Sequence, residues 1–190
     1  MSKSSKIWLK AQQIEPIAWE INKDTLYSKD YREKIRLRSM ELQDFLSPYL
    51  DLMNPSLRIL EIGGGGTPLI DHFPVGERHA ADPLQDYYND LFTYINDDII
   101  TKASKAEDLD YGDDYFDLVI TRNCIDHVDS LEQVLSQIRR VTKNEGKIYV
   151  GCNVFKGLLL LIRTIYKDPE HPYTFSHNSL ETILRNSDFK

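Results

Sequence analysis

The chain has 190 residues, 41% of them hydrophobic and 28% charged, with a formal net charge of −7. That length holds one domain with a real core and is too short for two of ordinary size. The acidic balance and the lack of a long Lys/Arg block exclude a nucleic-acid binder, and no apolar run approaches a membrane span or a signal-peptide core, so no membrane partner is expected and the reading is cytoplasmic.

Residues 1–54 read as an N-terminal helical extension that can serve as a lid. A shorter helical segment carries Trp8 and Trp19. After it, "DYREKIRLRSMELQDFLSPYLDL" sets Ile35, Met40, Leu42, Phe45, Leu46 and Leu50 near a 3.6-residue period, and Pro48 marks a late kink or break. The basic residues of "YREKIRLR" alternate with apolar ones and read as a solvated face. Tyr27 and Tyr31 read as packing residues, with a place in a lid as the alternative.

From residue 55 to 190 short β-like runs alternate with helical stretches. "LRILEI" precedes a helix from about Pro68, and "ERHAAD" precedes one from about Leu84 to Tyr94. "DIITKA" leads into a loop. "YFDLVIT" precedes the helix "SLEQVLSQIRRVT", and "GKIYVGCNV" precedes helical "KGLLLLIRTIY". The last segment, "SHNSLETILRNSDFK", is helical with Ser176 or Asn178 as N-cap. This alternation predicts an α/β fold: a doubly wound, mostly parallel sheet with helices on both faces, which binds ligands at the carboxyl ends of its strands. Cys124 and Cys152 make no metal-ligand pattern and read as reduced core thiols.

Four glycines, Gly63 to Gly66, follow the first strand. A turn without Cβ atoms lets a ligand lie against the backbone, with Thr67 as cap and Pro68 at the first helical position. The G-x-G-x-x-G frame of a dinucleotide site fails, because its third place is Pro68 or Leu69, and Glu61 would repel a pyrophosphate. A cationic ligand such as S-adenosylmethionine would accept that carboxylate. Asp82 ends the second strand, where an acid reaches the hydroxyls of a ribose; a helix N-cap is the alternative.

The ordered set "ILEIGGGGTP", "AADPL", "KAEDLDYGDDYFDLVITRNCIDHV" and "LSQIRRVTKNEGKIYV" resembles the class I S-adenosylmethionine-dependent methyltransferases of the small-molecule, type 11-like kind, which have a Rossmann-like fold. The resemblance implies that Glu61, Gly63, Gly64 and Gly65 hold the methionine end of the cofactor and that Asp82 and Pro83 hold the ribose. It also implies that Ala106 and Glu107 meet the adenine, with Asn123 near the methyl donor. The chain departs from the pattern in three places. Thr67 replaces the third glycine of the turn, Lys105 replaces the acid before the Ala-Glu pair, and "KNEGK" replaces Pro-Gly-Gly.

Methyl transfer needs an aligned acceptor and, for a hydroxyl, a base. His127 is the candidate, with packing as its alternative. His171 and Tyr173 are candidate substrate-binding residues; the spacing of His171, Tyr173 and His177 matches no standard ligand set, so no metal is expected. "ADPLQDYY" resembles family members of glycan assembly and suggests a sugar or glycan intermediate as acceptor. The family continues past the last helix with two antiparallel strands that are not found here. The strand "KIYVGCNV" is therefore expected at or near an open sheet edge, from a shortened chain or one that a partner subunit covers in a homodimer. A non-catalytic or truncated S-adenosylmethionine-binding protein is the alternative function.

Overall fold

The computed structural model describes residues 3–92, 98–165, 171–187 and 189. Three helices come first: α1 (Lys3–Ile21), α2 (Lys23–Tyr27) and α3 (Lys29–Leu46). There follow β1 (Arg58–Ile62), β2 (Glu77–Asp82), α4 (Gln85–Leu91), β3 (Ile99–Ala103), β4 (Phe116–Arg122), α5 (Leu131–Val141), β5 (Thr142–Gly151), α6 (Gly157–Ile165) and α7 (His177–Asn186). The strands form one sheet in the order β3-β2-β1-β4-β5, and every pairing is parallel. This is the doubly wound α/β arrangement that the strand–helix alternation predicts, with the order reversing between β1 and β4.

Side chains alternate across β1 and divide the core in two. Leu60 and Ile62 pack with Leu131, Val134, Leu135, Ile138 and Val141 of α5 on one face. Ile59, on the other face, joins Leu118 and Ile120 of β4 against Ile35, Leu42 and Leu46 of α3. A third cluster, Leu26, Tyr88, Leu91 and Phe92 with Trp19, Tyr27 and Tyr31, ties the N-terminal helices to α4. Tyr27 donates to the Leu91 carbonyl, so both tyrosines pack as the sequence suggests. Ser130 caps α5 and Arg139 and Arg140 occupy its last turn, where they complement the helix dipole.

Several expectations are corrected. In place of a helix from Pro68 there is one 3-10 turn, Leu69–His72, because Pro74 and the left-handed Gly76 (φ 101°) allow no more. Pro68 is extended (φ −62°, ψ 140°) and precedes that turn, while the Thr67 hydroxyl lies 3.4 Å from the Tyr31 hydroxyl and caps nothing. The segment with Trp8 and Trp19 is not shorter than α3: α1 spans 19 residues and absorbs Pro16. Met40 and Phe45 are exposed; the buried stripe of α3 runs through Ile35, Ser39, Leu42 and Leu46. α4 ends at Leu91, and the expected end at Tyr94 lies outside the described residues, as does Tyr166. Cys124 and Cys152 are unpaired and partly buried. β5 is an edge strand, and Ser176, rather than Asn178, caps α7 through a reciprocal bond pair with Ser179.

Candidate active site

The carboxyl ends of β1, β2, β3 and β4 meet beneath α1 in a cavity of about 280 Å3. Gly63, Asp82, Pro83, Ala106, Glu107, Asn123 and His127 line it, brought from four loops to one place at the switch in strand order. Ile62, Cys124 and Val128 supply apolar wall. Its roof is Trp8, Gln12, Glu15 and Ala18 of α1. Gln12, Glu15 and Ala18 are absent from the sequence reading, and Trp8 enters it only as part of a helix; the helical spacing of residues 8, 12, 15 and 18 was the available signal.

Asp82 is buried at the centre. One carboxylate oxygen accepts from the Leu84 N–H at 2.9 Å and the other from the Gly65 N–H at 3.3 Å. Burial nevertheless raises its pKa to about 6, and the nearby Glu15 carboxylate pushes the same way. Glu107 faces the cavity and also accepts from the N–H groups of Asp129 and Ser130, at 2.7 and 3.2 Å, which shapes the entry to α5. Asn123 is exposed and left-handed (φ 50°), and its N–H donates to the Gly151 carbonyl at 2.7 Å.

The glycine turn is bare partly to make room for the protein itself. At Gly63 (φ 71°) a Cβ would stand 2.5 Å from the Cys124 sulfur; at Gly65 (φ 57°) it would stand 2.9 Å from the Trp19 ring. Both conformations and both approaches require glycine. Gly64 and Gly65 do not line the cavity. Glu61 does not either. Its carboxylate accepts from the Ile70 N–H at 3.0 Å, and burial raises its pKa to about 7. Strand alternation explains this placement. Leu60 and Ile62 face α5, so Glu61 points to the other side, under the 3-10 turn, and not toward a ligand's ammonium.

His127 is half-exposed at the cavity wall, with the His171 ring centroid 4.2 Å from its own. Buried Asp126 lies beside it, 3.9 Å from His127 Nε2. Tyr173 stands apart from the cavity: its hydroxyl accepts from the Leu131 N–H and donates to the Asp129 carbonyl, both at 3.2 Å, and its ring stacks on Phe175. His177 is on the exposed start of α7, beside Glu181.

A methyltransferase-domain family model matches residues 78–150. Two of the similar curated proteins are a highly reducing polyketide synthase of Pyricularia oryzae and the ubiquinone/menaquinone biosynthesis C-methyltransferase of Vibrio vulnificus. The first is 23% identical over 147 residues, which is 67% of this chain and 5% of that protein. The second is 30% identical over 108 residues, 50% of this chain and 41% of that protein. Among solved structures, the Burkholderia thailandensis 1,6-didemethyltoxoflavin-N1-methyltransferase with bound 1,6-didemethyltoxoflavin and S-adenosylhomocysteine superposes with a TM-score of 0.67 at 16% identity. That match covers 100% of this chain and 81% of that one. A SAM-dependent methyltransferase from Archaeoglobus fulgidus gives 0.63 at 22% identity, covering 91% and 74%. Residues 78–150 thus match the methyltransferase-domain family, and the fold around them is the one shared by these S-adenosylmethionine-dependent methyltransferases.

The chain spans less than half the length of these curated relatives. Lys105, one departure from the pattern of the resemblance, has a local explanation: its ammonium lies 3.7 Å from the centroid of the Trp8 ring and so helps seat α1. Burial raises the pKa of Cys124 to about 12 and of Cys152 to about 11, so both remain thiols near neutrality and neither is a nucleophile. Among the described residues, no helix is long and apolar enough to cross a membrane.

Proposed function

We propose that this chain binds S-adenosylmethionine between α1 and the strand ends and transfers its methyl group to a small-molecule acceptor. One observation carries the reading: Gly63, Asp82, Ala106, Glu107, Asn123 and His127, singled out along the sequence, line a single cavity. The residues suit the group. Asp82 offers a carboxylate for ribose hydroxyls, Ile62, Ala106 and Val128 offer apolar wall for a flat base, and Gly63 brings backbone to the cavity wall. Pro83 sets the turn after Asp82, while Glu61, Gly64 and Gly65 act indirectly, by shaping the glycine turn that positions Gly63.

S-adenosylmethionine supplies a methyl group on sulfonium, which leaves behind a neutral thioether. The protein's part is to align an acceptor and exclude water. α1 closes the cavity from above. His127, at its wall, is placed to take a proton from the acceptor, which a hydroxyl requires and an amine does not. A hydroxyl acceptor, as on a sugar or glycan intermediate, is therefore the class we favour. His171, against the His127 ring, borders the acceptor side, and Tyr173 holds the loop around it. We also infer a homodimer, because β5 leaves an open edge.

Calorimetric titration with S-adenosylmethionine, S-adenosylhomocysteine and NAD tests the reading. Micromolar binding of the two sulfur nucleosides and none of NAD is the expected result. Binding without turnover across a panel of hydroxyl acceptors would favour a non-catalytic binding protein, and binding of none of the three would overturn the proposal.

A further inference from the structure

We propose that Asp126, His127 and His171 form a binding site for one divalent transition-metal ion at the wall of the cavity. Their donor atoms lie within 4.8 Å of one another, although the residues come from two distant segments. Two ligands held about 2.1 Å from an ion stand roughly 3.4 Å apart in a tetrahedral site and about 4.2 Å apart when opposed. The 3.9 Å between Asp126 Oδ1 and His127 Nε2 falls in that span, yet it is too long for a hydrogen bond.

The second observation is independent of that spacing. Asp126 is only 4% exposed, and its Oδ1 has no hydrogen-bond partner among the described residues. A buried carboxylate oxygen without a partner is costly, and a cation beside it removes the cost. The surroundings hold the set in place. The Tyr173 N–H donates to the Asp126 carbonyl at 3.3 Å, and the Tyr173 hydroxyl donates to the Asp129 carbonyl. These bonds pin the segment that begins at His171 against the loop that carries Asp126 and His127. Buried Ile125 and Val128 flank the two ligands of that loop.

Two imidazoles and one carboxylate select zinc, iron(II), cobalt, nickel or manganese over magnesium and calcium, which prefer all-oxygen ligands. Three protein ligands leave coordination positions open, and His127 lines the cavity on that side. Metal binding itself does not depend on methyl transfer. Resting on that reading, an acceptor oxygen in an open position would be held beside the methyl donor and made more acidic, with its proton released to solvent. His127 would then act as a ligand in place of a base.

The test uses the untagged full chain, stripped with EDTA and titrated with Co2+ while its visible absorption is followed, then with Zn2+ as competitor. One equivalent of Co2+ should bind at micromolar concentration or below. Asp126→Asn and His171→Ala should each weaken binding by about tenfold or more, whereas His177→Ala should leave it unchanged. Thermal melts of each variant report its folding. S-adenosylhomocysteine, titrated in EDTA, should bind the wild type and His171→Ala alike. Co2+ binding without S-adenosylhomocysteine binding would remove the methyl-transfer reading and keep the metal site. No stoichiometric Co2+ binding, or binding that neither Asp126→Asn nor His171→Ala weakens, would overturn the proposal.

Discussion

Glu61 is a carboxylic acid enclosed beneath the glycine turn, and its surroundings decide its charge. Desolvation raises its pKa from 4.5 to about 7, against the opposing effect of the Ile70 and Leu69 N–H groups. Between those values the folded chain keeps a proton that the unfolded chain has released, so stability falls as pH rises. The contribution is fully present below pH 4.5 and lost above about pH 7. Glu61→Gln keeps an acceptor for the Ile70 N–H and removes the titration. It should flatten the pH dependence and exceed the wild type at pH 8 by roughly 3 kcal/mol. Urea melts at pH 4.5 and 8 measure this; a variant weaker than wild type at pH 8 would mean that the buried charge is compensated. Asp82, raised from 3.8 to about 6, behaves in the same sense between those pH values. For a ribose the ionised form is the better acceptor, so affinity for S-adenosylhomocysteine should climb through pH 6 and level off above 7. Asp82→Ala should lower it by about 2–4 kcal/mol at pH 7.5, and an unchanged calorimetric affinity would end the ribose assignment. The place of Asp82 at the cavity was legible, because it ends a strand behind a glycine turn; its bond from the Leu84 N–H is the turn-capping use that the sequence also allowed. The direction of Glu61 was legible only through the alternation of β1, which motif matching ignores.

Among the elements, α1 shows what pattern reading missed. Its low amphipathic contrast and internal Pro16 make it a weak helix on local grounds, and tertiary contacts hold it in place. The Trp19 ring lies 5.1 Å from Tyr88 and 5.3 Å from Phe92, centroid to centroid. The Tyr87 hydroxyl donates to the Pro16 carbonyl at 3.0 Å and the Tyr88 hydroxyl to Glu15 at 2.9 Å. Nothing local to residues 3–21 announces partners in α4. Trp19→Ala should cost about 3 kcal/mol and loosen α1 while leaving the sheet intact. Limited trypsin digestion should then cleave at Lys10 and Lys23 well before the core, and S-adenosylhomocysteine should slow that cleavage. Digestion no faster than in the wild type would show that α1 is held by other contacts. The missing helix after Pro68 has a different cause. Pro74 and Gly76 stood in the sequence, but Thr67 as a cap and Pro68 as a first helical residue suggested a longer helix than the segment before them allows.

At the scale of the molecule, strand–helix alternation foretold the layers, while the edge position of β5 was expected from the family resemblance alone. What covers that edge is not written in any local pattern. α6 raises the same question more sharply. It is a nine-residue helix with no buried residue, and Leu158, Leu159, Leu161 and Ile165 are each more than half exposed. A helix that short is marginal in water, and its apolar side chains gain nothing while they face solvent. A second copy of the chain is the cover we propose for these exposed apolar side chains and for the β5 edge. Light scattering of the purified chain should therefore report about twice the 22.1 kDa of one chain. The double variant Leu158→Glu, Leu161→Glu should return it to a single chain that still melts cooperatively, because neither residue is buried within one chain, and its melting temperature should no longer rise with protein concentration. A wild type that stays monomeric at high micromolar concentration would exclude the dimer, and a variant that remains dimeric would move the interface from α6 to the edge of β5.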